Sequence, residues 1–159
     1  MIEIREIKPD EYYFLEEMLN EAVFIEDPER KALVLIEIRP DLLKYFENFG
    51  RTGDIGLVAV EDGRLIGAIW SRLFDKESGS YGFVDPETPE LGMAVVPDRR
   101  SRGVGSILIR ELFKELRKTG FNTVSLSVNK TNPALNLYNR SGFIIFSEDE
   151  NAFTMLKIL

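Results

Sequence analysis

Apolar residues recur at two spacings along the 159-residue chain, and the spacing changes from segment to segment. Ile2 and Ile4, with Ile7 as a candidate third, alternate with charged residues, the period of a half-buried strand. Asp10 is then placed to cap a helix that turns Phe14, Leu15, Met18 and Leu19 inward. Asp27-Pro28 offers a second helix start with proline at the first helical position. Arg39-Pro40-Asp41 is expected to break and restart the pattern, because the residue before a proline avoids helical backbone.

Further along, Ile55 to Val60 and Leu65 to Leu73 are rich in strand formers and meet at Glu61-Asp62-Gly63-Arg64, where Asp-Gly signals a hairpin turn. A polar stretch from Asp75 to Pro89 reads as a loop, long enough to be functional or mobile. Glu90 to Val96 forms the next strand, stopped by Pro97. Val104, Leu108, Leu112 and Leu116 recur four apart in an amphipathic helix over Gly103 to Lys118, closed by Gly120. Val124, Leu126 and Val128 alternate with Thr123, Ser125 and Ser127, which predicts a strand with one polar face. Asn132-Pro133 opens a last helix ended by Gly142, and short strands follow at Phe143 to Phe146 and Phe153 to Ile158. This order predicts an α/β or α+β domain, a sheet with helices on its faces, and with no linker or repeat it is read as one domain over residues 1–159.

Composition removes whole classes of chemistry. There is no Cys, hence no disulfide framework, no thiolate nucleophile and no Cys-ligated metal. There is no His either, which excludes imidazole catalysis and His-ligated zinc; no metal is expected. Acid and base roles fall to Glu, Asp, Tyr, Lys or water. No apolar run approaches the roughly 20 residues that span a bilayer, and the first residues lack the pattern of a signal peptide. The expectation is a cytoplasmic protein without a membrane partner. A formal net charge of −7 argues against nucleic-acid binding and favours cationic substrates.

Against that acidic background the segment Arg99-Arg100-Ser101-Arg102-Gly103-Val104-Gly105-Ser106 is locally basic and lies between a strand and a helix. Its glycines allow close backbone approach to a ligand, and the first-turn amides of the helix lack internal partners, which suits an anion such as a pyrophosphate. A dinucleotide fingerprint would need glycine where Leu108 stands, and a P-loop would need Gly-Lys-Ser/Thr; both are absent. On spacing alone an anion site and a tight turn with solvated arginines are both open.

Arg100-x-x-Gly103-x-Gly105, after a strand ending in Val-x-Pro, resembles the acyl-CoA pyrophosphate loop of the GNAT superfamily of N-acyltransferases. Asn132-Pro133-Ala134, followed by Leu137-Tyr138 and Gly142-Phe143, is similar to the family's second signature. The resemblance covers essentially the whole chain. It implies a mixed, mostly antiparallel sheet of six to seven strands, splayed between the strands Glu90–Val96 and Thr123–Val128, with helices on both faces. It further implies acetyl-CoA as co-substrate, its pantetheine along the backbone of Met93, Ala94, Val95 and Val96. The pyrophosphate then sits on the amides of Arg102, Gly103, Val104, Gly105 and Ser106, with Arg100 beside it and Asn132 near the cofactor as well as capping its helix. Unpaired strand groups in a splayed sheet are suited to an amide-bearing ligand.

In that frame Tyr138 is the candidate general acid for the departing thiolate, a phenol of pKa about 10 facing a thiol of about 8.5; the alternative is a core tyrosine. Glu90 is the candidate base for the attacking ammonium, with Asp85 and Glu87 as competitors and an exposed strand-end carboxylate as the plainer reading. Trp70, Tyr81, Phe83 and the segment from Phe24 to Phe49 are candidates for the acceptor region. The implied activity is transfer of an acetyl group from acetyl-CoA to a small-molecule or peptide amine by direct attack in a ternary complex, with a homodimer as the family habit. The alternatives are a non-catalytic acyl-CoA-binding or sensing module and, last, a nucleic-acid adaptor.

Overall fold

Strand β1 (Ile2–Glu6) leads through a 3-10 turn (Pro9–Glu11) into helix α1 (Tyr13–Ala22), which buries Phe14, Leu15, Met18 and Leu19 as its spacing requires. The computed structural model describes residues 1–25 and 27–159, and the side chains of residues 36–39, Arg39 among them, lie outside that description. Asp10 does not cap α1; it lies within the 3-10 turn, and α1 starts without a side-chain cap. Glu11 organises this corner instead, accepting the Lys8 amide at 2.9 Å and the Arg5 guanidinium at 2.7 and 2.9 Å. Helix α2 (Pro28–Leu42) is capped by Asp27, which accepts the Glu29 amide. The expected break at Pro40 does not occur. The helix carries Pro40 in its last turn, at the loss of one amide donor, and a 3-10 turn (Leu43–Tyr45) follows directly.

The remaining elements are β2 (Ile55–Glu61), β3 (Arg64–Arg72), β4 (Glu90–Val95), α3 (Val104–Lys118), β5 (Thr123–Asn129), α4 (Ala134–Arg140), β6 (Ile144–Glu148) and β7 (Ala152–Ile158). Asp62 and Gly63 both take positive φ at the β2–β3 turn, as an Asp-Gly hairpin requires. The seven strands form one sheet in the order β1-β2-β3-β4-β5-β7-β6, antiparallel at every junction except β4–β5. Helix α3 covers one face with Leu108, Leu112 and Leu116 fully buried, and α1 packs on β3 and β4. Helices therefore lie on both faces of the sheet, with the core between.

The polar face expected on β5 is covered. Ser125 is fully buried and donates to the Gly82 carbonyl at 2.7 Å, and Thr123 bonds Thr88 at 2.6 Å. These contacts hold the 75–89 loop against β5, so the hydroxyls that looked solvated anchor it instead.

Candidate active site

The parallel pair β4–β5 meets at one register position, Glu90 with Ser125, where the Ser125 amide donates to the Pro89 carbonyl at 2.9 Å. Beyond it the strands diverge, while β4 stays paired with β3 along its whole length. The Val96 amide donates to Ile66 on the β3 side. Backbone alternation therefore turns the groups of Ala94 toward β3 and those of Met93 and Val95 toward the open edge. A cleft of about 790 Å³ occupies this split, lined by β4 and β5, the start of α3, α4, the end of α1 and the turn carrying Tyr45.

At one end stands the start of α3. Gly103 is its N-cap with φ of 83°, no side chain caps the helix, and a Cβ on Gly103 would meet nothing within 4 Å. The first helical bond runs from the Ile107 amide to the Gly103 carbonyl, which leaves the amides of Val104, Gly105 and Ser106 without intrahelical acceptors. Gly105 passes close to Met93 and Leu137, so a Cβ there would lie 3.0 Å from Leu137 Cδ2. The three arginines do different work. Arg99 pairs with Glu61 at 2.6 Å and Asp98 at 2.8 Å, while Arg100 donates to the Val95 carbonyl at 3.0 Å and pairs with Glu21 of α1 at 2.9 Å. Among the described residues Arg102 is the one of the three without an ion pair.

The sequence-derived set largely converges. Glu90, Met93, Ala94, Val95, Arg100, Gly103, Val104, Gly105, Ser106, Asn132 and Tyr138 all line the cleft, and Val96 and Arg102 do not. Asn132 caps α4, its Oδ1 accepting the Ala134 amide at 2.9 Å, and also faces the cleft. Of the aromatic candidates, Phe24 and Tyr81 line the cleft. Trp70 is 1% exposed beneath Gly92, whose Cβ would lie 2.6 Å from its ring, and Phe83 packs on the core. Leu42 and Tyr45, within the segment from Phe24 to Phe49, line it too, as does Glu21, which was not singled out in the sequence. Glu21 carries no local motif; helix spacing marks it only as a residue near the end of α1.

Glu90 is 4% exposed, and its Oε1 has no hydrogen-bond partner. The carboxyl is wedged against the backbone of Gly82, where a Cβ would lie 2.9 Å from its Cδ. Burial raises the Glu90 pKa above the ordinary carboxylate value; the Ser80 and Tyr45 hydroxyls and the Gly82 amide face the group and oppose that shift. Asp85 and Glu87 are exposed and lie outside the cleft lining. Tyr138 is buried on α4 with its ring edge-on to Phe143 at 5.8 Å. Burial pushes its phenol up to about 12. Tyr45, also buried, accepts the Tyr81 amide at 2.8 Å, and burial raises its pKa, with the Glu90 charge adding to the effect.

A cleft that joins uncapped helix amides to an open strand edge, with a buried carboxyl and phenol on its walls, is suited to an extended anionic ligand and a proton transfer. Among the described residues no three His, Cys, Asp or Glu are placed to hold a metal, and no helix is long and apolar enough to cross a membrane. A mycothiol acetyltransferase of Acidimicrobium ferrooxidans is 37% identical over 98 residues, covering 58% of this chain and 29% of the relative. One from Cellulomonas flavigena is 27% identical over 128 residues, covering 79% of this chain and 35% of the relative. The chain thus spans about a third of the length of these curated relatives. In fold it is similar to the PaiA N-acetyltransferase of Thermoplasma acidophilum, solved in complex with coenzyme A. The TM-score is 0.74 at 22% identity, over 100% of this chain and 99% of that one. The model of the acetyltransferase (GNAT) family matches residues 3–143, so nearly the whole length carries the family pattern and the chain belongs to the acetyltransferase (GNAT) family.

Proposed function

We propose that this chain transfers an acetyl group from acetyl-CoA to a primary amine by direct attack in a ternary complex, as a single domain over residues 1–159. The observation that carries the reading is the meeting, in one cleft, of the buried Glu90 carboxyl with its unpartnered Oε1, the buried Tyr138 phenol and the free amides at the start of α3. The amides of Val104, Gly105 and Ser106 receive the diphosphate, with the helix dipole and the nearby arginines favouring its charge. The open edge of β4 at Met93 and Val95 pairs with the amide-bearing pantetheine arm and, at its inner end, polarises the thioester carbonyl.

An alkylammonium must lose a proton before it can attack. Glu90 takes that proton, directly or through a water, and its raised pKa makes it a stronger base than a solvated carboxylate. The amine nitrogen forms the new C–N bond, the C–S bond breaks, and Tyr138 supplies a proton to the departing sulfur. A phenol near 12 stays protonated throughout the neutral range, and burial raises a thiol's pKa in the same way, which narrows the gap between them. The chain has no Cys to carry an acyl group.

The acceptor is a small-molecule amine and the enzyme is cytoplasmic. A homodimer is supported by the exposed Ile144, Ile145 and Phe146 on the edge strand β6, and sedimentation velocity tests it. The transfer itself is tested by thiol release from acetyl-CoA with a panel of amines, alongside calorimetry with coenzyme A. Binding with amine-dependent thiol release is expected; binding without release from any amine would overturn the reading in favour of a non-catalytic acyl-CoA-binding module.

A further inference from the structure

Part of the cleft lining is apolar and aromatic: Leu19, Phe24, Leu42, Tyr45 and Tyr81, with Glu90 beside Tyr45. The charge near these residues is nearly all committed. Glu21 is paired with Arg100 at 2.9 Å. Lys44 donates to the Ser78 and Gly79 carbonyls at 3.0 Å each and sits over the Tyr81 ring without lining the cleft. Asp41, exposed on α2, acts on the outer side of Tyr81. Among the described residues Glu90 is therefore the cleft-lining carboxylate without an ion pair, its Oε1 lacking a hydrogen-bond partner, in a wall that is otherwise apolar and aromatic.

Resting on the acetyltransferase reading, we infer that the acceptor is a primary monoamine carried on an uncharged, apolar arm. Lys44 acts on Glu90 only from outside the cleft, so this buried carboxylate, which makes no ion pair, is compensated by one cation, and the ammonium end of the acceptor supplies it before proton transfer. The arm then lies on Leu42, Phe24 and the tyrosine rings, where apolar contact is favourable. A polyamine would place a second ammonium against the same wall with no unpaired cleft-lining acid to meet it. A free amino acid would set its own carboxylate beside Glu90, like charge against like. Both are disfavoured by the charge of the wall rather than by its size.

Calorimetry on the chain saturated with coenzyme A compares phenethylamine, spermidine, L-phenylalanine and a short peptide with a free N-terminus, and thiol release from acetyl-CoA compares the same four. Phenethylamine is expected to lead in affinity and in kcat/KM by about tenfold or more over each of the others. Equal or better binding of spermidine, L-phenylalanine or the peptide would overturn the inference and leave the transferase reading intact if thiol is released. Preferential binding of phenethylamine with no thiol release from any amine would uphold the acceptor class and overturn the transferase reading. Phe24→Glu, at a half-buried wall position, adds the missing second acid. It is expected to shift the spermidine-to-phenethylamine ratio about tenfold toward spermidine, and an unmoved ratio in a folded variant counts against the inference.

Discussion

Glu90 of β4 lies in register with Ser125 of β5, and among the described residues that is the one paired register position at the parallel junction. Ser125 in turn donates its hydroxyl to the Gly82 carbonyl, and the Gly82 backbone presses on the Glu90 carboxyl. The last point of closure of the sheet is thus the point that buries the candidate base. The cleft opens where the pairing stops.

Gly82→Ala tests this wedge. A Cβ there would lie 2.7 Å from Leu126 C and 2.8 Å from Ser127 N, both backbone atoms that cannot swing away. The expected cost is about 1–3 kcal/mol of stability, read as a lowered urea midpoint. Turnover should fall while coenzyme A affinity holds, because the start of α3 is untouched.

Removing one oxygen isolates the role of Tyr138. Tyr138→Phe keeps the ring contact with Phe143 and should lower kcat about 100-fold with acetyl-CoA affinity unchanged. Steady-state kinetics beside calorimetry separates the two effects, and an unchanged kcat would remove the acid role.

The pH dependence follows from the raised pKa of Glu90. As base, Glu90 works when ionised, so kcat/KM should rise with pH on a limb lying above the ordinary 4.5, and Glu90→Gln should abolish that limb. Stability runs the other way. A carboxyl whose folded pKa is raised stabilises the fold below its unfolded pKa, and that contribution is lost as pH rises through the folded value. Glu90→Gln should therefore gain stability relative to the parent chain at pH 8 but not at pH 4, read by thermal melts at both.

Arg72 and Asp54 form a bidentate pair at 2.7 and 3.0 Å, with side chains only 3% and 2% exposed. The same guanidinium donates to the Lys44 and Glu47 carbonyls at 2.9 and 2.7 Å, which ties the turn carrying Tyr45 to β3. Arg72→Met leaves Asp54 buried without its counter-ion and should cost about 3–5 kcal/mol, measured by denaturant unfolding.

At the start of α3, Arg100→Glu sets a carboxylate against Glu21 and replaces a positive charge near the free amides of the helix. Acetyl-CoA affinity should drop about tenfold or more and do so most at low salt, where charge is least screened. Calorimetry at two ionic strengths reads both.

Local physics made much of the architecture legible. The four-residue spacing from Val104 to Leu116 marked α3, and Asp62-Gly63 marked the hairpin because few other pairs accept positive φ in succession. The two motifs around Gly103 and Tyr138 marked the uncapped start of α3 and the buried phenol, since each lies in one continuous segment. Local rules were overridden at Pro40, where the helix runs on, and at Asp10, where Glu11 and Arg5 organise the corner instead.

Sequence by itself determined which residues face inward, where the chain turns, and which chemistry is available, because periodicity, backbone preference and composition act within a few residues. Tertiary structure alone decided what covers each face. Packing buried Ser125 under Gly82, set Trp70 beneath Gly92, and brought Glu21 to Arg100 across 79 positions. It also placed Tyr45 beside Glu90. An apolar or polar stripe records that a face needs a partner but not which distant segment supplies it; that choice belongs to the collective packing of the whole core.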